Sequence, residues 1–273
     1  MDESRVPKDS QKVVHNLKLT LSYDGSEFAG WQVQPGRATI QGTLASAIGR
    51  LTGEKVLPQG SGRTDAGVHA LAQVATFATA SPIPIGHWLK ALNDILPPSI
   101  RALEVSEVAA DFHARKSARA KTYRYRMYRG AICPPFLARY VWHYPFPLKE
   151  DAMAAAAGLV IGEHDFTSFA AVDPERVERI QNDDQERDGG EKMNVRTILS
   201  SVWTREGEEL IYTVRGSGFL HHMVRNLVGT FLLVGKGTLA PEEVRRILAS
   251  RDRSTAGSTA PAQGLYLVEV EYD

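Results

Sequence analysis

KVLPQGSGRTDAGVHALAQVATF, residues 55 to 77, holds two strand-like segments apart with a run of small residues. KVLPQ and ALAQVATF each have the length and apolar content of a short strand, and glycine and proline bound them. Between them glycines stand at 60, 62 and 67, and the one acid, Asp65, has Arg63 two positions before it and His69 four positions after it. Hairpin connections commonly take two to five residues; this one is expanded to roughly ten. Expanded loops on rigid scaffolds are where binding and catalytic groups collect.

The fold follows from reading outward. Upstream, Leu17, Leu19, Leu21 and Tyr23 alternate in LKLTLSY, the pattern of a half-buried strand. Ile40, Leu44, Ile48 and Leu51 then share one face of a helix, with Gly53 just past its end. Downstream, Pro84 opens a second helix with Trp88, Leu89, Leu92 and Ile95 on one face, and RALEVSEV is a strand. The order is β-α-β-loop-β-α-β. The second half repeats it: TYRYRMY as a strand, DAMAAAAGLVIG as a helix, and TILSSVW with ELIYTV as a hairpin around Glu206-Gly207. A long helix from Phe219 to about Val234, a short one from Pro241 and the strand GLYLVEVEY complete it. No residue-level repeat accompanies this repeated order. The split βαβ pattern, twice over, predicts an α+β chain of two ferredoxin-like halves, residues 14–110 and 111–273, with antiparallel sheets and a cleft between them. Helices on one face leave the other face of such a sheet free, and RNA-recognition modules use that face to present aromatic and basic residues.

Composition narrows the class. The single cysteine, Cys133, excludes an intrachain disulfide framework and a cysteine-rich zinc site. The opening MDESRVPKDSQK lacks the apolar core of a signal peptide, and no apolar run reaches the ~18 residues of a membrane span. A cytoplasmic protein is expected. Lys+Arg and Asp+Glu are both 32, so the formal net charge is zero, but the charges are segregated. Phe112 to Lys149 holds nine Lys/Arg, nine aromatic residues and no acid, whereas Asp173 to Glu191 holds eight acids against three arginines. A basic aromatic stripe is the footprint of a nucleic-acid surface, which an acidic insert cancels in the sum.

The loop around Asp65 admits four readings. Gly60 and Gly62 begin a phosphate-cradling pattern, but no Gly-Lys-Ser/Thr follows and the next segment reads as a strand. Asp65 with His69 is too few ligands for a metal. The others are a catalytic carboxylate held by Arg63, and a structural Arg-Asp pair pinning a turn. Small residues crowding one acid favour catalysis. In KTYRYRMY, alternation sends Tyr123, Tyr125 and Met127 one way and Arg124, Arg126 and Tyr128 the other, either to stack bases and meet phosphates or to form core and a solvated face. In GFLHHMVRNLVGTFLLVG, Phe219, Leu220, Met223, Val224, Leu227, Val228 and Phe231 make an apolar side with Arg225 at its margin, one turn from His221. A cation at a core margin needs a partner, and Asp65 is the candidate. The His221-His222 pair reads as packed or exposed histidines rather than a metal site.

Taken together, LSYDGSEFAGWQVQP, GSGRTDAGVHALAQVATF, DFHARKSARAKTYRYRMY, GEHDFTSFAA, FLHHMVRNLVGT and GLYLVEV resemble, in order and from about Leu17 to Tyr272, the TruA family of tRNA pseudouridine synthases. The resemblance implies isomerisation of uridines 38, 39 and 40 in the tRNA anticodon stem-loop, with no cofactor or metal. It also implies a homodimer that grips one tRNA across both subunits. It assigns Asp65 as catalytic aspartate, Tyr123 as the tyrosine against the target base, and Arg63 as the arginine linked to flipping the nucleotide. Arg225 becomes the partner of the aspartate and Leu265 a pocket-lining residue. The acidic insert is longer than the family pattern but interrupts no motif. A non-catalytic RNA-binding protein would account for the stripe but not for the Asp65 loop. A glycosidic-bond hydrolase would ordinarily need two carboxylates.

Overall fold

The protein is described by a computed structural model covering residues 13–171 and 194–273, so the acidic stretch from Asp173 to Glu191 lies outside the described residues. In β1 (His15–Tyr23) the alternation of LKLTLSY becomes alternating burial, with Leu17, Leu19, Leu21 and Tyr23 all in the core. It is paired antiparallel on both sides, to β3 (His69–Thr79) and β4 (Ile100–Val108). Helix α1 (Ile40–Thr52) is capped by Thr39, whose hydroxyl accepts from the Gly42 amide, and is ended by Gly53 in the left-handed region, φ 74°. Helix α2 (Ile85–Ile95) buries Trp88 and Leu92, but Leu89 is exposed. The stripe that meets β4 is narrower than the four apolar residues suggest. Strand β2 is reduced to Gln59–Gly60, because Pro58 has no amide to donate to a ladder.

The second half comprises β5 (Ala120–Tyr128), β6 (Trp142–His143), α3 (Glu150–Gly158) and β7 (Gly162–Asp165), then β8 (Val195–Glu206) and β9 (Glu209–Gly216). Helices α4 (Met223–Gly235) and α5 (Glu243–Ser250) and strand β10 (Leu265–Glu271) complete it. Two helix boundaries depart from the periodicity. The helix expected to run through Gly162 stops at Gly158, and Gly162, at φ 109°, starts a strand instead. The helix expected from Phe219 starts at Met223, because His222 takes a left-handed conformation, φ 60°, which no α-helix continues through.

In each half the first strand lies between the last and the third, as the split βαβ pattern requires: β4-β1-β3 in one half, β10-β5-β9-β8 in the other. The two antiparallel sheets are joined. Strand β10 pairs antiparallel with β5 and parallel with β3, through Tyr266 opposite His69 and Leu267 opposite Ala70, so one sheet runs β4-β1-β3-β10-β5-β9-β8-β7. Strand β2 takes the far end of that same β3 edge, with Gly60 opposite Ala75. Residues 61 to 68 therefore leave β3's edge where β2 stops and rejoin it where β10 begins. This puts the glycine-rich loop at the seam between the halves.

Candidate active site

The loop is held by a buried polar network rather than by apolar packing. The Ser61 amide donates to the Val74 carbonyl at 2.8 Å, and its hydroxyl to Gln73 Oε1 at 2.6 Å. Gln73, fully buried, returns Nε2 to the Gly62 carbonyl at 2.9 Å. Thr64 accepts from the Trp31 amide at 2.9 Å, and its hydroxyl lies 2.9 Å from that of Tyr23. A network with its polar groups satisfied specifies one loop conformation. Two glycines of LSYDGSEFAG let the chain lie directly on the loop. A Cβ at Gly25 would stand 2.0 Å from the Val68 carbonyl oxygen, and one at Gly30, whose φ is 91°, would stand 2.6 Å from that of Thr64. This explains physically why the two motifs occur together.

Asp65 sits at the turn of this loop, which the Val68 amide closes onto its carbonyl at 3.1 Å. Its side chain is 18% exposed, and Arg225, 14% exposed, donates Nη1 to Oδ2 at 2.7 Å. Of the two arginines that the sequence offers as its partner, Arg63 and Arg225, it is thus Arg225, 160 residues away in the first turn of α4, that meets the carboxylate. Arg63 is half-buried in the loop, and among the described residues no ion pair joins it to Asp65. Arg225 is itself aimed by a second bond, Nε to the Ala260 carbonyl at 2.7 Å, while the Ala260 amide returns to the Arg225 carbonyl at 3.1 Å. The strand of chain carrying Ala260 can lie on α4 because Gly229 has no side chain; a Cβ there would stand 1.7 Å from the Ser258 oxygen.

The two histidines of FLHHMVRN, read as packed or exposed, also face this carboxylate. His221 Nε2 lies 3.6 Å from Oδ1 and His222 Nε2 lies 3.4 Å from Oδ2, with the two rings 4.0 Å apart. Their donor atoms and the carboxylate fall within 4.8 Å of one another, a set of the size that can hold a cation. Arg225 already occupies Oδ2 with fixed positive charge, which opposes a second cation there. Burial lowers the His222 pKa below the usual histidine value; the Asp65 charge opposes this, and His221, Arg225 and Arg253 add to the lowering. The imidazole is accordingly neutral at pH 7. Sequence held one signal for these residues, their adjacency to Arg225.

Tyr123 is buried in β5 between Val214 of β9 and Leu267 of β10, its ring edge-on to Phe219 with centroids 4.9 Å apart. Its hydroxyl reaches the Asp65 loop, since a Cβ at Gly62 would lie 4.0 Å from it. Burial, with Tyr23 and Asp65 adding, pushes its hydroxyl above the usual phenol range. It stays protonated. Tyr125 and Met127, on the same face, are wholly core, and the Tyr125 hydroxyl donates to the Pro261 carbonyl at 2.8 Å. Leu265, buried, opens β10 opposite Tyr125. The basic stripe is less free than its acid-free run suggests, because the fold brings acids from elsewhere. Arg126 makes two bonds to Glu209, at 2.7 and 2.6 Å; Arg139 meets Glu27 at 2.9 Å, Arg129 meets Glu150 at 3.5 Å, and Arg119 pairs with Asp273.

The family model described as tRNA pseudouridine synthase matches residues 20–115 and 156–273, well over half of the chain. The chain belongs to the tRNA pseudouridine synthase family. It is similar to tRNA pseudouridine synthase A of Solibacter usitatus (strain Ellin6076), 51% identical over 95% of this chain and 100% of that relative. The enzymes of the same name from Moorella thermoacetica and Brevibacillus brevis are 47% and 46% identical, each over 94% of this chain and 99% of the relative. The family is one of isomerases. Within this family member Asp65, Arg63, Arg225 and Leu265 fall inside the matched segments, and Tyr123 falls between them. No helix among the described residues is long and apolar enough to cross a membrane.

Proposed function

We propose that this protein converts uridines at positions 38, 39 and 40 of the tRNA anticodon stem-loop to pseudouridine, with Asp65 as the nucleophile. The observation that carries the reading is the Asp65–Arg225 pair at 2.7 Å on a glycine-rich loop at the seam of the sheet, a loop that the Tyr123 hydroxyl reaches at Gly62. The reaction is an isomerisation. The N1–C1′ bond breaks, the base turns, C5 bonds to C1′, the C5 proton leaves and N1 takes up a proton, so no atom is added and no redox partner is needed. Asp65 attacks the sugar or the base, or promotes loss of the base, and Arg225 keeps it ionised and aimed once water has left. A stacked uridine is out of reach, so the nucleotide must leave its helix at a cost of a few kcal/mol. Arg63 assists that flip, the Tyr123 ring receives the base, and Leu265 lines the pocket.

The halves 14–110 and 111–273 contribute the loop and its partners respectively, and two copies grip one tRNA in the cytoplasm. The test is tritium release from tRNA carrying 5-tritiated uridine, followed by mapping of the product. Pseudouridine at 38 to 40 is the expected result. Free uracil would mean hydrolysis, and binding without release would mean a non-catalytic RNA-binding protein; either overturns the reading.

A further inference from the structure

The most unusual cation near the Asp65 loop is one the reading above does not use. Lys121 lies two residues before Tyr123 on β5, so the two side chains leave the same face of the strand. Lys121 is half-buried and donates Nζ to the Ser61 carbonyl, at the foot of the loop. A Cβ at Gly62 would stand 3.2 Å from Nζ and 4.0 Å from the Tyr123 hydroxyl, so the ammonium and the phenol both border one bare backbone position.

Where Arg119, Arg126, Arg129 and Arg139 each meet a carboxylate, Lys121 meets none among the described residues. An ammonium has three donors, and a single carbonyl takes one of them. Among the described residues, the charges that bear on it are two more cations, Arg115 and Arg196. Burial first, then these two arginines, bring its pKa down to about 8. A half-buried charge without a counter-charge destabilises the empty protein. A polyanionic substrate supplies what is missing.

We propose that Lys121 is a phosphate-binding residue that grips the phosphodiester next to the target uridine, drawing it against the Ser61-Gly62 backbone so that the base falls between Tyr123 and Asp65. This rests on the tRNA isomerisation reading and names the part of the substrate held beside the reacting base. The geometry favours a phosphate linked to the target over a distant one, because Lys121 and Tyr123 share a strand face and both reach Gly62. The lysine differs from the surface cations of the stripe in its consequence. It fixes the backbone of one nucleotide rather than adding to a general attraction.

The test compares Lys121→Met and Lys121→Arg with wild type on a stem-loop RNA, native or with one neutral methylphosphonate immediately 5′ or 3′ of the target uridine. At one of the two positions the neutral link should raise the wild-type KM about tenfold, the size of one charge-assisted hydrogen bond. At that position it should leave Lys121→Met, whose KM is already raised, unaffected. Lys121→Arg should retain most of the affinity. Wild-type affinity should also weaken as pH rises through about 8, where the lysine loses its proton, while Lys121→Arg stays flat.

Stability separates this from a structural peg. The folded pKa is depressed, so the unfolded chain holds the proton more strongly and stability is gained as pH rises above about 8. At neutral pH Lys121→Met should therefore melt no lower than wild type, whereas loss of a peg would lower it. An equal methylphosphonate penalty in wild type and Lys121→Met at both positions, or a wild-type KM in Lys121→Met, overturns the assignment. A wild type that binds these RNAs but releases no tritium refutes isomerisation instead, and the same series read as binding affinity still decides Lys121.

Discussion

The pair that organises the site can be measured by a double-mutant cycle on Arg225→Met and Asp65→Ala. Arg225 and Asp65 meet at 2.7 Å with side chains 14% and 18% exposed, so solvent screens them weakly but is not absent. A hydrogen bond to a charged group contributes roughly 1.5–3 kcal/mol, and removing one partner of a fully buried pair costs about 3–5 kcal/mol. Partial exposure places each single variant nearer the lower figure, at about 2–3 kcal/mol. Arg225→Met also loses the 2.7 Å bond to Ala260, so it should be the costlier of the two. The double variant leaves no unpaired charge and should lose about 3 kcal/mol rather than the sum, a coupling of about 2 kcal/mol. Urea unfolding of the four proteins at low and high salt measures this, with single-turnover tritium release from the wild type and Arg225→Met beside it. Turnover in Arg225→Met should fall about a hundredfold or more, since a carboxylate left without its guide is misplaced for attack. Arg225→Lys should recover only part, because an ammonium cannot reach Asp65 and Ala260 as a planar fork does. Additive stabilities within about 0.3 kcal/mol, with turnover near wild type, would refute the role of the pair.

Other expectations concern the remaining residues. Asp65→Asn keeps the side chain's size but not the nucleophile, so tritium release should vanish while tRNA affinity, by filter binding, stays within a few-fold. Tyr123→Phe should retain more turnover than Tyr123→Ala, because loss of a stacking ring costs ~1–3 kcal/mol; equal and complete loss would instead make the buried hydroxyl the working group. Binding should weaken steeply with salt despite zero formal net charge, at roughly −0.7 in log–log slope per phosphate neutralised on a single strand. Replacing Arg115, Lys116 and Arg119 with Gln should flatten that slope by about two units on cognate and non-cognate tRNA alike, and an unchanged slope would show that this stripe is not the RNA surface.

Sequence alone determined whatever depends on local order. Alternation in LKLTLSY and TYRYRMY, the 3.6-residue spacing in α1 and Gly53 at its end are set by neighbours a few residues apart, and the structure keeps them. The repeated order of elements was legible for the same reason, as was the oversized connection carrying Asp65. Boundaries failed where a single backbone conformation intervened: His222 at φ 60° starts α4 four residues late, and Gly162 turns an expected helix end into a strand. Neither angle leaves a trace in hydrophobic periodicity.

Only the tertiary structure decided the partners. The sequence offered Asp65 two arginines, Arg63 two residues away and Arg225 at a core margin, and only the fold, which sets the first turn of α4 against the loop, selects Arg225. Two histidines read as bystanders arrive with it. Four cations of the acid-free stripe find acids on other elements, and among the described residues Lys121 does not. Charge is neutralised across space, between atoms a few ångströms apart, and a linear count of residues cannot register that distance.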